Sequence, residues 1–315
     1  MQVMTVAGPL PADEIGVTDA HDHLHLQSPL LTGEEIDDTA AITTEVRDGA
    51  RSGLATIVEL TPIGLGRRPD VLRAVSKATG VNIIGATGFH RDAHYPEGHW
   101  VLTASDDVLL ERMTTDLLVG MHPTDWIDPA SPVDPARAGV IKAGASLNEI
   151  TANERRRLVA AAAAAKAAGV AVVVHTEEAT CGQEITDLLT DEGMPEEQIV
   201  LAHVDRNPDP TPHLELLSRG VFLVYDTIGR TKYFPDSVRI ELIQAVCAAG
   251  YGEQILLGLD IGRASYLHVN GGWGLRHLMS SFVPALRARI DDTLMDAMLV
   301  TNPASAFALR ASVAA

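Results

Sequence analysis

The stretch TANERRRLVAAAAAAKAAGVAVVVHTEE, residues 151–178, predicts a helix followed by a strand, and this unit is the starting point for predicting the fold. A threonine cap, an early glutamate and a run of alanines favour a helix over 151–168. Gly169 ends this helix, because glycine readily adopts the left-handed conformation found at helix C-termini. The apolar run that follows predicts a buried strand over 170–175, with His175 at its end.

The same alternation of apolar runs and helical stretches continues along the whole chain. The predicted strands lie near 17–23, 55–61, 82–88, 138–144, 170–175, 198–204, 221–226 and 255–260. The predicted helices lie at 34–52, 69–79, 105–120, 151–168, 182–194, 210–219 and 236–249. Such alternation favours a parallel sheet covered by helices. It predicts an α/β fold, a (β/α)8 TIM barrel, and we expect residues 1–315 to form a single barrel domain.

Composition argues against several classes of protein. The formal net charge is −18 and the chain has no basic run, whereas a nucleic-acid binder needs a clustered positive surface. Cys181 and Cys247 lie far apart in sequence and are interpreted as small, buried or half-buried thiols. There is no signal-peptide pattern and no uncharged run that could span a bilayer. We therefore expect a cytoplasmic protein without nucleic-acid or membrane partners.

Polar side chains stand near the ends of the predicted strands, where a parallel barrel builds its active site. His21 and His23 lie two apart in VTDAHDHL, residues 17–24, so both imidazoles can face the barrel interior while Asp22 points away. Two unrelated surface histidines would give the same pattern. The pair alone is therefore weak evidence for a metal site.

Lys142 interrupts the apolar segment AGVIKAGA, residues 138–145. Burial of a lysine is unfavourable unless its charge is removed or paired. Burial also lowers the pKa of the amine, and the neutral amine can add CO₂ to give a carbamate, which suits a bridge between two cations. Taken alone, the same residue is equally well interpreted as a lysine that extends to the barrel rim.

His175, His203 and Asp260 end three further predicted strands, in AVVVHTEE, IVLAHVDR and ILLGLDIG. One histidine at such a position would be a satisfied core residue, but two on consecutive strands favour a metal centre. Four imidazoles, one carbamate, one aspartate and a bridging hydroxide around two divalent ions leave a net charge of about +1. A nitrogen-rich shell of this kind favours Zn²⁺, with Co²⁺ or Mn²⁺ able to replace it.

The chain resembles the phosphotriesterase family of the amidohydrolase superfamily over almost its whole length. The matching stretches are TVAGPLPADEIGVTDAHDHL, TPIGLGRRPDVLRAVSKATGVNIIGATGFH, RAGVIKAGAS, VAVVVHTE, IVLAHVDRN, ILLGLDIGR and TNPASAF. The resemblance implies a distorted, amidohydrolase-type barrel with two metal ions bridged by carboxylated Lys142. The implied ligands are, for the buried ion, His21, His23 and Asp260 and, for the exposed ion, His175 and His203.

Within this family, residues 222–243 and 257–278 are most similar to the phosphotriesterase homology proteins, some of which carry glutamate in place of Lys142. The loop after Asp260 is short and glycine-rich. It differs from the longer hydrophobic loop of acyl-homoserine lactonases, which weakens a quorum-sensing interpretation. The resemblance also implies a homodimer.

Residues that follow the strands are expected to line the substrate pocket. Several are cationic, which on an acidic chain suggests a substrate with a carboxylate, sulfonate or phosphate group. Pairing of these cations with local acids such as Asp226 is the alternative. The expected substrate-binding residues are His90, Arg91, Tyr95, Arg206, Arg230, Lys232 and Arg263.

The expected chemistry is metal-assisted hydrolysis with Asp260 and Lys142 as the catalytic residues. The exposed ion polarises a carbonyl, the bridging hydroxide attacks, and Asp260 moves a proton to the leaving oxygen. The preferred small-molecule substrate is a lactone or carboxylic ester derived from a sugar, with or without an anionic group, and phosphotriesterase activity is at most weak. An amidase for an N-acyl compound, a phosphoesterase and a non-catalytic binding protein remain alternatives.

The segment GMHPTDWIDPASPVDPAR, residues 120–137, has an unusual composition and follows a predicted helix. It is expected at the bottom of the barrel, away from catalysis, in a structural or subunit-contact role. We therefore do not expect His122, Asp125 or Asp128 to bind a metal.

Overall fold

Eight parallel strands form a nearly closed barrel in the computed structural model, which describes residues 1–123 and 132–311. Each strand pairs with the next one along the chain. An antiparallel hairpin of β1 (Gln2–Thr5) and β2 (Gly8–Pro11) precedes the barrel. The barrel strands are β3 (Thr18–Asp22), β4 (Thr56–Glu59), β5 (Asn82–Gly88), β6 (Val140–Ala145), β7 (Val172–Thr176), β8 (Ile199–Ala202), β9 (Phe222–Tyr225) and β10 (Ile255–Leu257).

The helices between and after these strands are α1 (Thr39–Arg51), α2 (Pro69–Thr79), α3 (Trp100–Thr103), α4 (Asp106–Leu118), α5 (Ala152–Ala168), α6 (Gly182–Asp191), α7 (Pro210–Leu217), α8 (Asp236–Ala248), α9 (Val283–Arg287), α10 (Asp292–Asp296) and α11 (Asn302–Ala306). Six of these α-helices in the described residues, α1, α3, α4, α5, α7 and α10, begin after a residue whose side chain caps the first turn. In α5 the Thr151 side chain accepts a hydrogen bond from Glu154 N, and the Glu154 side chain accepts one from Thr151 N. Left-handed Gly169 ends this helix, as predicted.

The first and last barrel strands meet at a seam that contains two of the predicted metal ligands, His21 and Asp260. His21 O accepts a hydrogen bond from Asp260 N at 2.9 Å. Gly258 permits this approach, because a Cβ there would lie 2.9 Å from His21 N. Asp22 directs Oδ1 to the backbone, where it accepts from Ile261 N at 3.0 Å. The seam therefore fixes the segment after β10 against β3.

Two apolar layers support the barrel. The inner layer fills the space enclosed by the strands with side chains such as Val58, Ile84 and Val173, and Phe307 from the C-terminal segment joins it. The outer layer packs the other faces of the strands against the helices. Both layers are built mainly from aliphatic side chains, so each strand is buried on both faces, as parallel sheets require.

The (β/α)8 barrel expected from the alternating pattern is confirmed, although most strands and helices are shorter than predicted. Helix α1 begins at Thr39 and not at residue 34, because Ile36 forms a β-bridge with Leu26 and Asp38 accepts hydrogen bonds from the first helical N–H groups. None of the helices in the described ranges combines the length and the apolar character that a bilayer span needs.

The described residues of the segment 120–137 lie near the β1–β2 hairpin, at the N-terminal ends of the barrel strands. Asp134 N donates to Met121 O at 2.8 Å, and Pro135 borders a recess beside the hairpin. Asp125 and Asp128 fall outside the described residues. The position at the barrel bottom agrees with the expectation for this segment.

Candidate active site

The predicted ligand side chains all stand at the C-terminal end of the barrel. They are supplied by β3 (His21, with His23 just after it), β6 (Lys142), β7 (His175) and the residues after β8 and β10 (His203 and Asp260). His203 and Asp260 have left-handed backbones, with φ of 65° and 48°. Non-glycine residues rarely adopt this conformation, and such residues cluster at functional sites.

Lys142 meets His21 in the barrel interior. The lysine is 1% exposed, and its Nζ lies 3.1 Å from His21 Nε2. Gly88, opposite Lys142 on β5, is needed here because a Cβ would come within 2.1 Å of the Lys142 carbonyl oxygen. Burial lowers the pKa of Lys142 to about 8. A neutral amine is therefore accessible close to neutral pH.

Asp226, which follows β9, orients two of the predicted ligand imidazoles. Its Oδ2 accepts a hydrogen bond from His21 Nδ1 at 2.6 Å, and its Oδ1 accepts one from His203 Nδ1 at 2.8 Å. Burial opposes ionisation of Asp226, but the two histidines outweigh it and hold the pKa below its ordinary value. With Nδ1 protonated on both rings, Nε2 of each ring carries the lone pair that a metal ion needs.

Asp260 lies between a histidine and an arginine. Its Oδ1 is 3.1 Å from His23 Nε2, and its Oδ2 is 2.8 Å from Arg230 Nη2. Burial would raise the pKa of Asp260, but the Arg230 guanidinium and the nearby histidines hold it well below its ordinary value. The carboxylate is therefore ionised, as a metal ligand or a proton acceptor must be.

His175 contacts a glutamate two residues further along the chain. His175 Nε2 lies 2.7 Å from Glu177 Oε2, which also forms an ion pair with Arg91 Nη2 at 3.0 Å. The His175 ring packs edge-on against the His203 ring, with 4.5 Å between centroids. His175 thus belongs to the same cluster as the other predicted ligands.

The donor set fits divalent ions that prefer nitrogen ligands. Burial lowers the pKa of His21 to about 3, lowers that of His203 to about 4, and holds that of His175 well below its ordinary value. These imidazoles are therefore neutral, as metal ligands must be. His21, His23 and Asp260 bring three ligand atoms within 4.8 Å of one another, and so do His21, His203 and Asp226, the group in which Asp226 accepts hydrogen bonds from both imidazoles.

A cavity of about 180 Å³ is lined by five of the six predicted ligands, which are His23, Lys142, His175, His203 and Asp260. Predicted substrate-binding residues that line it are His90, Arg91, Arg206, Arg230, Lys232 and Arg263. Arg206 and Lys232 both lie over the Tyr233 ring, 4.8 Å and 4.5 Å from its centroid. Arg230 lies 5.3 Å from the centroid of the Tyr266 ring. The cavity wall therefore carries several cations beside the candidate metal ligands.

Tyr95 does not line the cavity, which corrects its expected role in substrate binding. It is 5% exposed, and its hydroxyl donates to Ile63 O at 2.9 Å and accepts from His90 N at 2.8 Å. Because the hydroxyl is directed at backbone groups, Tyr95 supports the loop that presents His90.

The roles of Asp226 and Glu177 were not predicted from the sequence. Asp226 follows the apolar run FLVY much as Asp260 follows ILLGL, and this shared position is the signal that could have identified it. Glu177 is placed by left-handed backbones at Glu178 and Ala179, with φ of 51° and 60°. Neither residue is a glycine, so the sequence carries no signal for this turn.

Comparison with known proteins agrees with the site geometry. A family model described as the Phosphotriesterase family matches residues 1–307. The phosphotriesterase homology protein of Escherichia coli (strain K12) is 31% identical over 303 residues, which cover 94% of this chain and 99% of that protein. A phospho-furanose lactonase of Mycoplasmopsis agalactiae is 31% identical over 318 residues, covering 96% of this chain and 90% of that protein.

A solved structure shares the whole fold. The structure of a lactonase from Listeria monocytogenes superposes with a TM-score of 0.91 at 26% sequence identity. The match covers 99% of this chain and 100% of that chain. The similarity therefore includes the barrel strands and the loops at their C-terminal ends, where the candidate site lies.

Proposed function

The chain belongs to the phosphotriesterase family, and on this basis we propose that it hydrolyses an anionic, sugar-derived lactone. Family membership and the lactonase relatives identify a lactonase-like, metal-dependent hydrolase. The proposal depends on one observation: Lys142 and Asp260 line a cavity with cations in its wall, and both lie within 4 Å of the buried His21.

We assign two divalent ions to this cavity, with zinc as the first choice and cobalt or manganese as replacements. The more buried ion is assigned to His21, His23 and Asp260, the more exposed ion to His175 and His203, and carboxylated Lys142 to both. Ions bound there would lower the pKa of an intervening water molecule and polarise the substrate carbonyl. The neutral imidazoles of His21 and His203, whose Nδ1 atoms donate to Asp226, support this assignment.

Lys142 and Asp260 are the side chains that react in the proposed mechanism. The neutral Lys142 amine adds CO₂ and releases a proton, which leaves a carbamate. Asp260 accepts a proton from the attacking water and returns it to the ring oxygen as the lactone C–O bond breaks, so the product is a hydroxy acid. Arg230, 2.8 Å from Asp260 Oδ2, keeps the carboxylate ionised before the attack.

Cations of the cavity wall supply a site for the anionic group, with Arg206 as the best-supported member. The Arg206 side chain is 6% exposed, and its Nη1 lies 4.0 Å from Glu177 Oε1. Its buried Nε has no hydrogen-bond partner among the described residues. Lys232 and Arg263 line the same cavity. Because a relative is named a phospho-furanose lactonase, we favour phosphate on a furanose lactone over a carboxylate or sulfonate.

Metal content and a lactone panel test this function. We expect about two zinc ions per chain and a kcat/KM at least about 100-fold higher for a pentono-1,4-lactone 5-phosphate than for the unphosphorylated lactone. Hydrolysis of N-acyl compounds or phosphoesters without lactone turnover would mean that the protein is an amidase or a phosphoesterase and not a lactonase. A chain that binds no metal after incubation with Zn²⁺ and bicarbonate would contradict the proposed centre.

Replacing Asp226 with asparagine is expected to weaken zinc affinity about 10- to 100-fold. The asparagine amide presents one oxygen and one NH₂ group, so it cannot accept hydrogen bonds from both His21 Nδ1 and His203 Nδ1. Competition with a chromophoric chelator measures the change. Exposed Asp209→Asn is the matched control, and equal zinc affinities for both variants would mean that Asp226 does not orient the ligands.

A further inference from the structure

Glu177 is a cavity carboxylate to which the proposed reaction gives no role. Among the described residues that line the cavity, the carboxylates are Glu177 and Asp260, while the cations are more numerous. Asp260 is assigned to metal binding and proton transfer. Glu177 is therefore the acidic group of this described lining that remains for contact with the substrate.

The two oxygens of Glu177 have different surroundings. Oε2 contacts His175 Nε2 at 2.7 Å and Arg91 Nη2 at 3.0 Å. Oε1 lies 4.0 Å from Arg206 Nη1, which is too far for a hydrogen bond. The side chain is 18% exposed. When His175 Nε2 serves as a metal ligand, its contact with Oε2 is released, so acceptor capacity is left on both oxygens.

The backbone around Glu177 is held in an unfavourable conformation. Glu178, Ala179 and Cys181 all have positive φ, at 51°, 60° and 63°. Thr180 fastens the turn, because its N and Oγ1 donate to Glu177 O at 3.0 Å and 2.7 Å. Asn148 N in turn donates to Thr180 Oγ1 at 2.9 Å. Such conformations persist where the surrounding structure over-determines them, so the position of Glu177 is fixed.

Chemistry restricts what Glu177 can contact. A phosphate or carboxylate of the substrate would be repelled by it and is directed to the cations of the wall. A hydroxyl group can donate to Oε1, whereas an unsubstituted alkyl lactone offers no donor and leaves Oε1 without a hydrogen bond from the substrate. A hydroxyl group is therefore a better partner for Glu177 than an anionic group, although Arg91 and Arg206 lie close to the same carboxylate.

We propose that Glu177 accepts a hydrogen bond from a ring hydroxyl of the substrate and so determines specificity for hydroxylated lactones. This inference rests on the proposed lactonase function. It assigns to one side chain the preference for a sugar-derived ring, as distinct from the preference for an anionic group, which the cavity cations supply.

Matched substrates and matched variants of the full-length, zinc-loaded enzyme test the inference. The substrates are ribono-1,4-lactone 5-phosphate and its 2-deoxy and 3-deoxy forms, and the variants are Glu177→Gln, Glu177→Ala and Glu178→Gln. For the wild type, loss of the contacted hydroxyl is expected to lower kcat/KM about 10- to 100-fold. In Glu177→Ala this preference is expected to shrink to within about threefold, with Glu177→Gln between the two. Exposed Glu178 carries the same charge one residue away, so Glu178→Gln should keep the wild-type preference.

Zinc content of each variant separates this role from the other possible roles of Glu177. We expect it to be unchanged, and loss of zinc in Glu177→Gln would make the residue a metal ligand and overturn the inference. The inference would be overturned if the wild-type kcat/KM did not depend on either hydroxyl, or if Glu177→Ala lowered kcat/KM equally for all three lactones. Glu177 would then only position Arg91. A zinc-loaded wild type that hydrolyses none of the lactones would instead refute the proposed function itself.

Discussion

Replacing Lys142 with alanine is expected to lower kcat/KM for lactone hydrolysis by about 1,000-fold or more. Alanine has no amine that could be carboxylated, so the two proposed ions lose their shared ligand. His21 Nε2 also loses the group that lies 3.1 Å away in the barrel interior. Zinc content, measured by mass spectrometry of the purified variant, is expected to fall together with activity.

The fold of this variant is expected to survive. Lys142 is 1% exposed, and a buried amine opposes folding unless it is paired or modified. Truncation also leaves a cavity, with an expected loss of about 2 kcal/mol in the free energy of unfolding. Thermal unfolding therefore separates loss of the site from loss of the fold.

Glutamate and glutamine at position 142 provide the controls for charge. Lys142→Glu restores a carboxylate on a shorter side chain and is expected to keep a measurable fraction of activity. Lys142→Gln has a side chain of the same size as glutamate but no negative charge, and it is expected to be inactive. A carbamate signal in the wild-type protein after labelling with ¹³C-bicarbonate would report the modification directly. Full activity in Lys142→Ala would rule out the bridging role.

The barrel and the cluster of candidate ligands followed from the sequence because both depend on strand order. In a parallel barrel every strand ends at the same rim, so residues at or near the ends of the strands, such as Lys142 and His175, must come together. No distance had to be known for this inference. Strand ends were less accurate, since local hydrogen bonds such as those of Asp38 decide where an element begins.

Contacts that depend on loop conformation were beyond the reach of the sequence. The hydrogen bond that Asp226 accepts from His203 is made by a residue with a left-handed backbone. Tyr95 was expected in the cavity because it follows a strand, yet its hydroxyl bridges backbone groups of two loops. The position of Glu177 depends on a turn of non-glycine residues with positive φ. Periodicity and propensity describe elements, and they carry no information about such turns.

Replacing Asp260 with asparagine is expected to lower kcat about 100- to 10,000-fold, which is the usual contribution of a positioned acid–base group. Asparagine tolerates the left-handed backbone at this position, where φ is 48°, so the segment should keep its path. The amide cannot accept a proton from water, and Arg230 loses its ionised partner at 2.8 Å. The measurement is kcat at saturating zinc, so that weaker metal binding does not mimic the loss.

A thiolactone of the same ring distinguishes proton transfer from metal binding in this variant. A departing alkoxide needs a proton, whereas a thiolate, whose conjugate acid has a pKa of about 8.5, leaves without one. If Asp260 returns the proton to the leaving atom, Asp260→Asn should be impaired at least about 10-fold less on the thiolactone than on the lactone. Equal losses on both substrates would leave Asp260 as a metal ligand alone, because a missing ligand weakens attack on either carbonyl to the same extent.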